Sequence, residues 1–201
     1  MNIISLFSGA GGLDLGLVQA GHKVLWANDN DADAIETYRL NIGDHAVLGD
    51  ITQIDVGGIP DADVVVGGFP CQGFSQANRH RFEKDERNRL YLEFFRTVKS
   101  KQPKYFLAEN VRGILSLGKG AAIEQIKSDF NRAGYRVQVQ LFNTSKYGVP
   151  QNRWRVIIAG TRKDLPKSLD FVYPESTHGG PGQPAIVAIG DALSGIPEPE
   201  D

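Results

Sequence analysis

The sequence predicts an α/β fold, a doubly wound and mostly parallel sheet that ends in a C-terminal antiparallel strand pair. Three observations carry this. Short β-branched runs, of which Val64-Val65-Val66 is the clearest, alternate with segments of helical period. A glycine-rich stretch, Ser8-Gly9-Ala10-Gly11-Gly12, joins the first apolar run to the first helical one. Two late apolar runs, 136–142 and 154–159, are linked by a loop short enough for antiparallel pairing.

In chain order, residues 3–7 form a first strand and 13–19 a helix that Gly21 can stop. Residues 24–27 form a second strand, 32–40 a second helix and 46–48 a weak third strand. The fourth strand, 64–66, is followed by a polar, turn-rich segment from Gly67 to Asn88. Connections that long are usually functional. Residues 90–99 read as a helix and 105–108 as a fifth strand after Pro103. Ile123, Ile126, Phe130 and Ala133 share one helical face, with Gly134 placed to cap it. The expected organisation is a catalytic and cofactor-binding domain over 1–165. A proline- and glycine-rich extension or linker follows over 166–201, with one helical turn near 189–193.

The 201 residues are 41% hydrophobic and 23% charged, enough for one sizeable core and incompatible with wholesale disorder. No apolar run is long enough to span a membrane as a helix, and the first apolar stretch lacks the basic flank of a signal peptide. The expected address is the cytoplasm. A single cysteine, Cys71, excludes an intrachain disulfide, and the scattered histidines His22, His45, His80 and His178 match no metal-ligand spacing. The net charge of -2 argues against a surface that grips nucleic acid all round, while leaving room for a local basic face.

Chemically suggestive residues fall at strand ends. Gly9, Asp29, Asp50, Cys71 and Glu109 all follow predicted strands, and in an open parallel sheet ligands bind outside the carboxyl ends. The glycine loop frees helix amides for a ligand, and Asp29, about twenty residues on, is placed to accept ribose hydroxyls. Asp14 sits where a dinucleotide fingerprint wants glycine or alanine. A carboxylate in that first helical turn repels a pyrophosphate and tolerates a cation, which favours a nucleoside with a positive amino-acid tail over NAD. Taken alone, the glycines read equally well as a tight turn and Asp14 as a complement to the helix dipole. Cys71, flanked by Gly68, Pro70 and Gly73, opens a polar loop and is a poor candidate for a buried hydrophobe. No histidine stands at a strand end to pair with it, which weakens a hydrolase reading. Glu109 suits proton donation to a ring nitrogen if burial raises its pKa, and reads as readily as a surface glutamate.

Taken together, Phe7-Ser8-Gly9-Ala10-Gly11-Gly12-Leu13-Asp14, Gly68-Phe69-Pro70-Cys71-Gln72-Gly73-Phe74-Ser75, Glu109-Asn110-Val111 and Gln151-Asn152-Arg153-Trp154-Arg155 resemble, in order, the motifs of the C5-cytosine DNA methyltransferases. The resemblance spans residues 2–160 and implies the Rossmann-like fold of S-adenosylmethionine-dependent methyltransferases. It implies S-adenosylmethionine as cofactor and S-adenosylhomocysteine as product, no metal, and double-stranded DNA as substrate. It also implies a restriction-modification setting. By the same resemblance Cys71 adds to cytosine C6 and Glu109 holds the N3 and amine edge, while Arg153 and Arg155 reach the base carbonyl and its phosphate. Phe7, Ser8, Gly9, Ala10, Gly11, Gly12, Leu13, Asp29, Asn30, Asp50, Ile51, Pro70 and Leu90 would hold the cofactor. Gln72, Ser75, Gln76, Arg79 and Arg81 resemble the family's mobile loop and would meet DNA, whose target base must be flipped out.

Two departures stand out. Asn30 replaces the large apolar or aromatic residue that some relatives place on the adenine. The chain also stops where the family's target-recognition region begins. The expectation is therefore a catalytic half or fragment that methylates poorly until a complementing C-terminal half is supplied. The alternatives are a transfer-RNA cytosine-5 methyltransferase and a non-catalytic, cofactor-binding regulatory subunit.

Overall fold

The computed structural model describes residues 1–70 and 89–197. Its elements run β1 (Asn2–Leu6), α1 (Gly12–Gln19), β2 (Lys23–Asp29), α2 (Ala32–Asn41), β3 (Ala46–Leu48), β4 (Val64–Gly67), α3 (Arg89–Lys101), β5 (Tyr105–Val111), α4 (Ala121–Arg132), β6 (Tyr135–Asn143), β7 (Trp154–Arg162) and α5 (Ile189–Leu193). The described strands form one 7-stranded sheet in the order β3-β2-β1-β4-β5-β7-β6. β1 pairs in parallel with β2 on one side and with β4 on the other, so the strand order reverses between β1 and β4. β7 runs antiparallel between β5 and β6. The predicted antiparallel pair is present, with its later strand inserted next to β5.

Period-two alternation divides the core into two layers. Ile4, Leu6 and Val65 join Phe94, Phe106 and Phe130 beneath α3 and α4, while Ile3, Val24, Val64 and Val66 join Ile35 and Tyr38 beneath α2. β4 is buried along its whole length because helices cover both of its faces. α4 buries Ala122, Ile123, Ile126 and Phe130, one stripe at helical spacing, and Gly134 follows at φ +98°. Gly160 of β7 cannot carry a side chain: a Cβ there would lie 1.9 Å from the Phe106 ring, which packs flat on the strand.

β5 extends through Val111, further than its apolar run suggests, because β7 pairs with it in register from Tyr105↔Thr161 to Val111↔Arg155. Glu109 and Asn110 therefore stand inside the strand and point to opposite faces. Residues 167–173 pack against β6 and β7. The Phe171 amide donates to Thr161 Oγ1 at 3.0 Å, Tyr173 OH to the Ile157 carbonyl at 2.8 Å, and Arg136 Nε to Asp170 at 2.7 Å. Further on, α5 leaves Ile189 and Leu193 exposed. No helix among the described residues is long and apolar enough to cross a membrane. None of their His, Cys, Asp and Glu side chains form a cluster able to hold a metal ion.

Candidate active site

The glycine loop leaves the sheet at Phe7, whose φ of +55° ends β1 one residue before the predicted boundary and holds a non-glycine residue in left-handed backbone space. The loop is then tied down. The Ser8 amide donates to the Asn28 carbonyl at 3.0 Å, the Gly11 amide to the Ser8 carbonyl at 3.0 Å, and the Gly9 amide to Asp29 Oδ2 at 2.8 Å. The other Asp29 oxygen accepts from the Asp31 amide at 3.0 Å. Gly11 stands at φ +88°, and a Cβ there would come within 2.2 Å of Ile42 and 2.8 Å of the Tyr38 ring. Only glycine lets the loop rest on α2. α1 starts with no side-chain cap, so its first amides remain open to a ligand.

Asp14 overturns one step of the sequence argument. Its side chain is fully buried and accepts from Ser5 Oγ at 2.7 Å and Tyr38 OH at 2.8 Å, and that hydroxyl in turn meets His45 Nε2 at 3.1 Å. Burial raises its carboxyl above the ordinary range, against the pull of the Ser5 and Tyr38 hydrogen bonds and the nearby His45. The carboxylate thus faces the interior and acts on the loop from beneath, where no ligand charge is felt directly.

Phe7, Asp29, Asn30, Asp50, Ile51 and Leu90, all predicted from sequence, line one cleft at the carboxyl ends of β1, β2 and β3. Its enclosed part is about 30 Å³, which admits the edge of a ring. Asn28, which sequence reasoning passed over, builds the floor by donating to the carbonyls of Val47 and Gly49, at 2.9 Å each. Asp50 accepts from the Thr52 amide, a hydrogen bond that holds its carboxyl below the ordinary range. The turn after Asp50 is held from α3, where Arg96 donates to the carbonyls of Ile51 and Ile54 and Arg89 to Thr52 Oγ1. The donor set suits a nucleoside with an amino-acid tail: apolar faces for a ring, carboxylates for ribose hydroxyls, free amides for a carboxylate.

At the neighbouring rim, Glu109 Oε1 forms an ion pair with Arg155 Nε at 2.5 Å, both side chains partly buried. Its other oxygen lies beside Gly68, on the loop that leads through Phe69 and Pro70 to Cys71. Phe69 is buried and Pro70 exposed. Arg153 is exposed and takes no part in the Glu109–Arg155 ion pair. Ser8 and Ala10 lie in the glycine loop, and Gly12 and Leu13 open α1. Cys71, Gln72, Ser75, Gln76, Arg79 and Arg81 lie outside the described residues.

Asn110 was visible in the sequence only as a letter between Glu109 and Val111. It is buried, donates through Nδ2 to the Phe69 carbonyl at 2.8 Å, and accepts at Oδ1 from the Val111 amide at 2.9 Å. It couples the strand that carries Glu109 to the loop that precedes Cys71. Asn110→Ala leaves a buried carbonyl without its donor, and urea denaturation should show a loss of about 1–3 kcal/mol. An unchanged midpoint would mean that another donor replaces the amide.

The sequence profile described as C-5 cytosine-specific DNA methylase matches residues 1–197. The chain is 48% identical over 201 residues to the type II methyltransferase M.NgoFVII of Neisseria gonorrhoeae, covering 98% of this chain and 53% of that protein. It is 41% identical over 206 residues to M.BspRI of Lysinibacillus sphaericus, covering 89% and 48%. Among solved structures it resembles a protein described as a prophage-encoded DNA modification methyltransferase from E. coli. The TM-score is 0.80 at 32% identity, covering 100% of this chain and 56% of the other. The chain spans about half the length of the relatives it matches.

Proposed function

The chain belongs to the C-5 cytosine-specific DNA methylase family, and from that premise we propose that it carries the catalytic and cofactor-binding region of an enzyme that methylates C5 of a flipped-out cytosine in duplex DNA. The observation that supports this most directly is the Glu109 carboxylate beside Gly68, on the loop into Cys71, at the same sheet edge as the cleft of Phe7, Asp29 and Asp50.

Cytosine C5 is too weak a nucleophile to take a methyl group unaided. In this reading the Cys71 thiolate adds to C6, and the electron pair of the C5–C6 double bond becomes available at C5. Glu109 receives the exocyclic amine and N3 edge, fixing the ring while charge develops on it, and Arg155 fixes Glu109. Arg153, free of the ion pair, is available to the base carbonyl or its phosphate. When bound, S-adenosylmethionine would supply the electrophilic methyl carried on its sulfonium, leaving S-adenosylhomocysteine. Loss of the C5 proton then returns the electron pair to the ring and expels the Cys71 thiolate from C6. Phe7, Asp50, Ile51 and Leu90 would enclose the adenine edge, Asp29 the ribose, and the first amides of α1 the tail carboxylate.

Recognition of a DNA sequence and full activity fall, in this reading, to a complementing region of the kind that makes up the rest of the longer relatives. α1, beside the cofactor cleft, leaves Leu15 and Val18, three apart on one helical face, each about 40% exposed, an apolar pair suited to such a neighbour. Duplexes containing 5-fluorocytosine test the whole proposal, because fluorine at C5 blocks the final proton loss and traps the adduct. Incubation with S-adenosylmethionine should yield a covalent species mapping to Cys71, enhanced by the C-terminal half of the Neisseria relative. No adduct with or without that half would overturn the catalytic reading.

A further inference from the structure

The described arginines divide sharply. Arg39, Arg89, Arg96, Arg132, Arg136, Arg155 and Arg162 each donate to a protein oxygen. Arg112 and Arg153 have no such partner among the described residues, and both stand at the rim that carries Glu109. Arg112 is the first residue after β5, and its guanidinium lies over the Trp154 ring, 5.5 Å from the centroid. Trp154 begins β7 between Arg153 and Arg155 and is 40% exposed, an expensive place for the largest side chain in the protein.

From this arrangement we propose that Arg112, held over the Trp154 ring, is a contact for a backbone phosphate of duplex DNA flanking the flipped cytosine. The inference rests on the function proposed above and deepens it. A guanidinium held over an aromatic face loses little freedom on binding and keeps its N–H donors available for a phosphate. The ligand that suits it is anionic, since the Glu109 carboxylate at this rim is already engaged by Arg155. In a chain of net charge -2, two arginines without an oxygen partner among the described residues, one over Trp154 and one next to it in sequence, run against the average surface. The aromatic body of Trp154, exposed next to them, suits the apolar edge of a deoxyribose.

The test is duplex binding by fluorescence anisotropy across a salt series, with wild-type chain, Arg112→Ala, Arg112→Lys and Trp154→Phe. Losing one phosphate contact should flatten the slope of log affinity against log salt by about 0.9 and weaken binding about fivefold, equally for unrelated DNA sequences. Arg112→Lys should recover the slope, and Trp154→Phe, which keeps an aromatic face, should retain most of the affinity. Affinity for S-adenosylhomocysteine and the melting temperature should not move, which separates a phosphate contact from a structural role. An Arg112→Ala chain with wild-type slope and affinity overturns the inference, as does a wild-type chain with no salt-dependent duplex binding. Should that variant also trap 5-fluorocytosine at wild-type yield, the methyl-transfer reading stands without it. A flattened slope in a protein whose wild type never forms the Cys71 adduct would leave the phosphate contact standing and remove the reaction.

Discussion

Glu109→Ala should slow methyl transfer to duplex DNA by about 10²–10⁴-fold, the range for loss of a positioned acid–base or hydrogen-bonding group at the reacting ring. Binding of S-adenosylhomocysteine, measured by calorimetry, should be unchanged, because the cleft of Phe7, Asp29 and Asp50 lies against β1, β2 and β3 and shares no side chain with Glu109. Attack at C6 pushes charge toward N3 and the carbonyl of the base, so the group that meets that edge acts more strongly in the transition state than in the ground state. Glu109→Gln keeps the shape and loses the charge that Arg155 engages at 2.5 Å, and an intermediate rate is expected. Arg155 also donates to the Trp154 carbonyl at 2.8 Å, so the guanidinium is fixed from two sides and passes that order to the carboxylate. The pair should therefore act as a unit, with Glu109→Ala/Arg155→Ala no slower than the slower single variant. Wild-type turnover by the alanine variant, with its fold intact by thermal melting, would remove Glu109 from the reaction.

Particular residues show where sequence was sufficient and where it was not. Strands β1, β2, β4 and β5 were legible because burial on both faces demands continuous apolar runs, and the position of Asp29 at the end of β2 followed from its place after such a run. The cleft-lining set was legible for the same reason: residues just past the carboxyl ends of parallel strands converge whatever the details of packing. The Glu109–Arg155 pair was not, because 46 positions separate the two residues and only the β5–β7 register, Val111↔Arg155, brings them together. Sequence also led Asp14 astray. Its place in the first turn of a helix was read correctly, but the face it occupies is set by Ser5 and Tyr38, which lie on β1 and α2. Arg112 carried no signal at all, since a cation over an indole 42 positions away has no local pattern.

Asp14 sets the second large expectation. Asp14→Ala removes the acceptor shared by two buried hydroxyls: Ser5 Oγ loses its side-chain partner, and Tyr38 OH keeps only His45 Nε2. A loss of about 1–3 kcal/mol in urea denaturation follows from the one buried hydroxyl left unsatisfied. Affinity for S-adenosylhomocysteine should fall with it, because the Tyr38 ring is the seat on which Gly11 rests. The pH dependence has a definite sign. Burial raises the Asp14 carboxyl in the folded state above its ordinary value of 3.8, so the native protein holds this proton more tightly than the unfolded chain does. Stability from this group is therefore complete below the unfolded value and declines as pH rises through the folded one. Tyr38 does not relieve the charge by ionising, since burial and the adjacent carboxylate push its hydroxyl far up, and it remains a donor. Asp14→Asn is neutral at every pH and retains an oxygen for one hydroxyl and an amide for the other. It should gain on the wild type steadily between acid and neutral pH, while Asp14→Ala stays below both throughout. Parallel stability curves for Asp14→Asn and the wild type would mean that Asp14 titrates alike in the folded and unfolded chains, and that the glycine loop rests on Tyr38 without help from the charge beneath it.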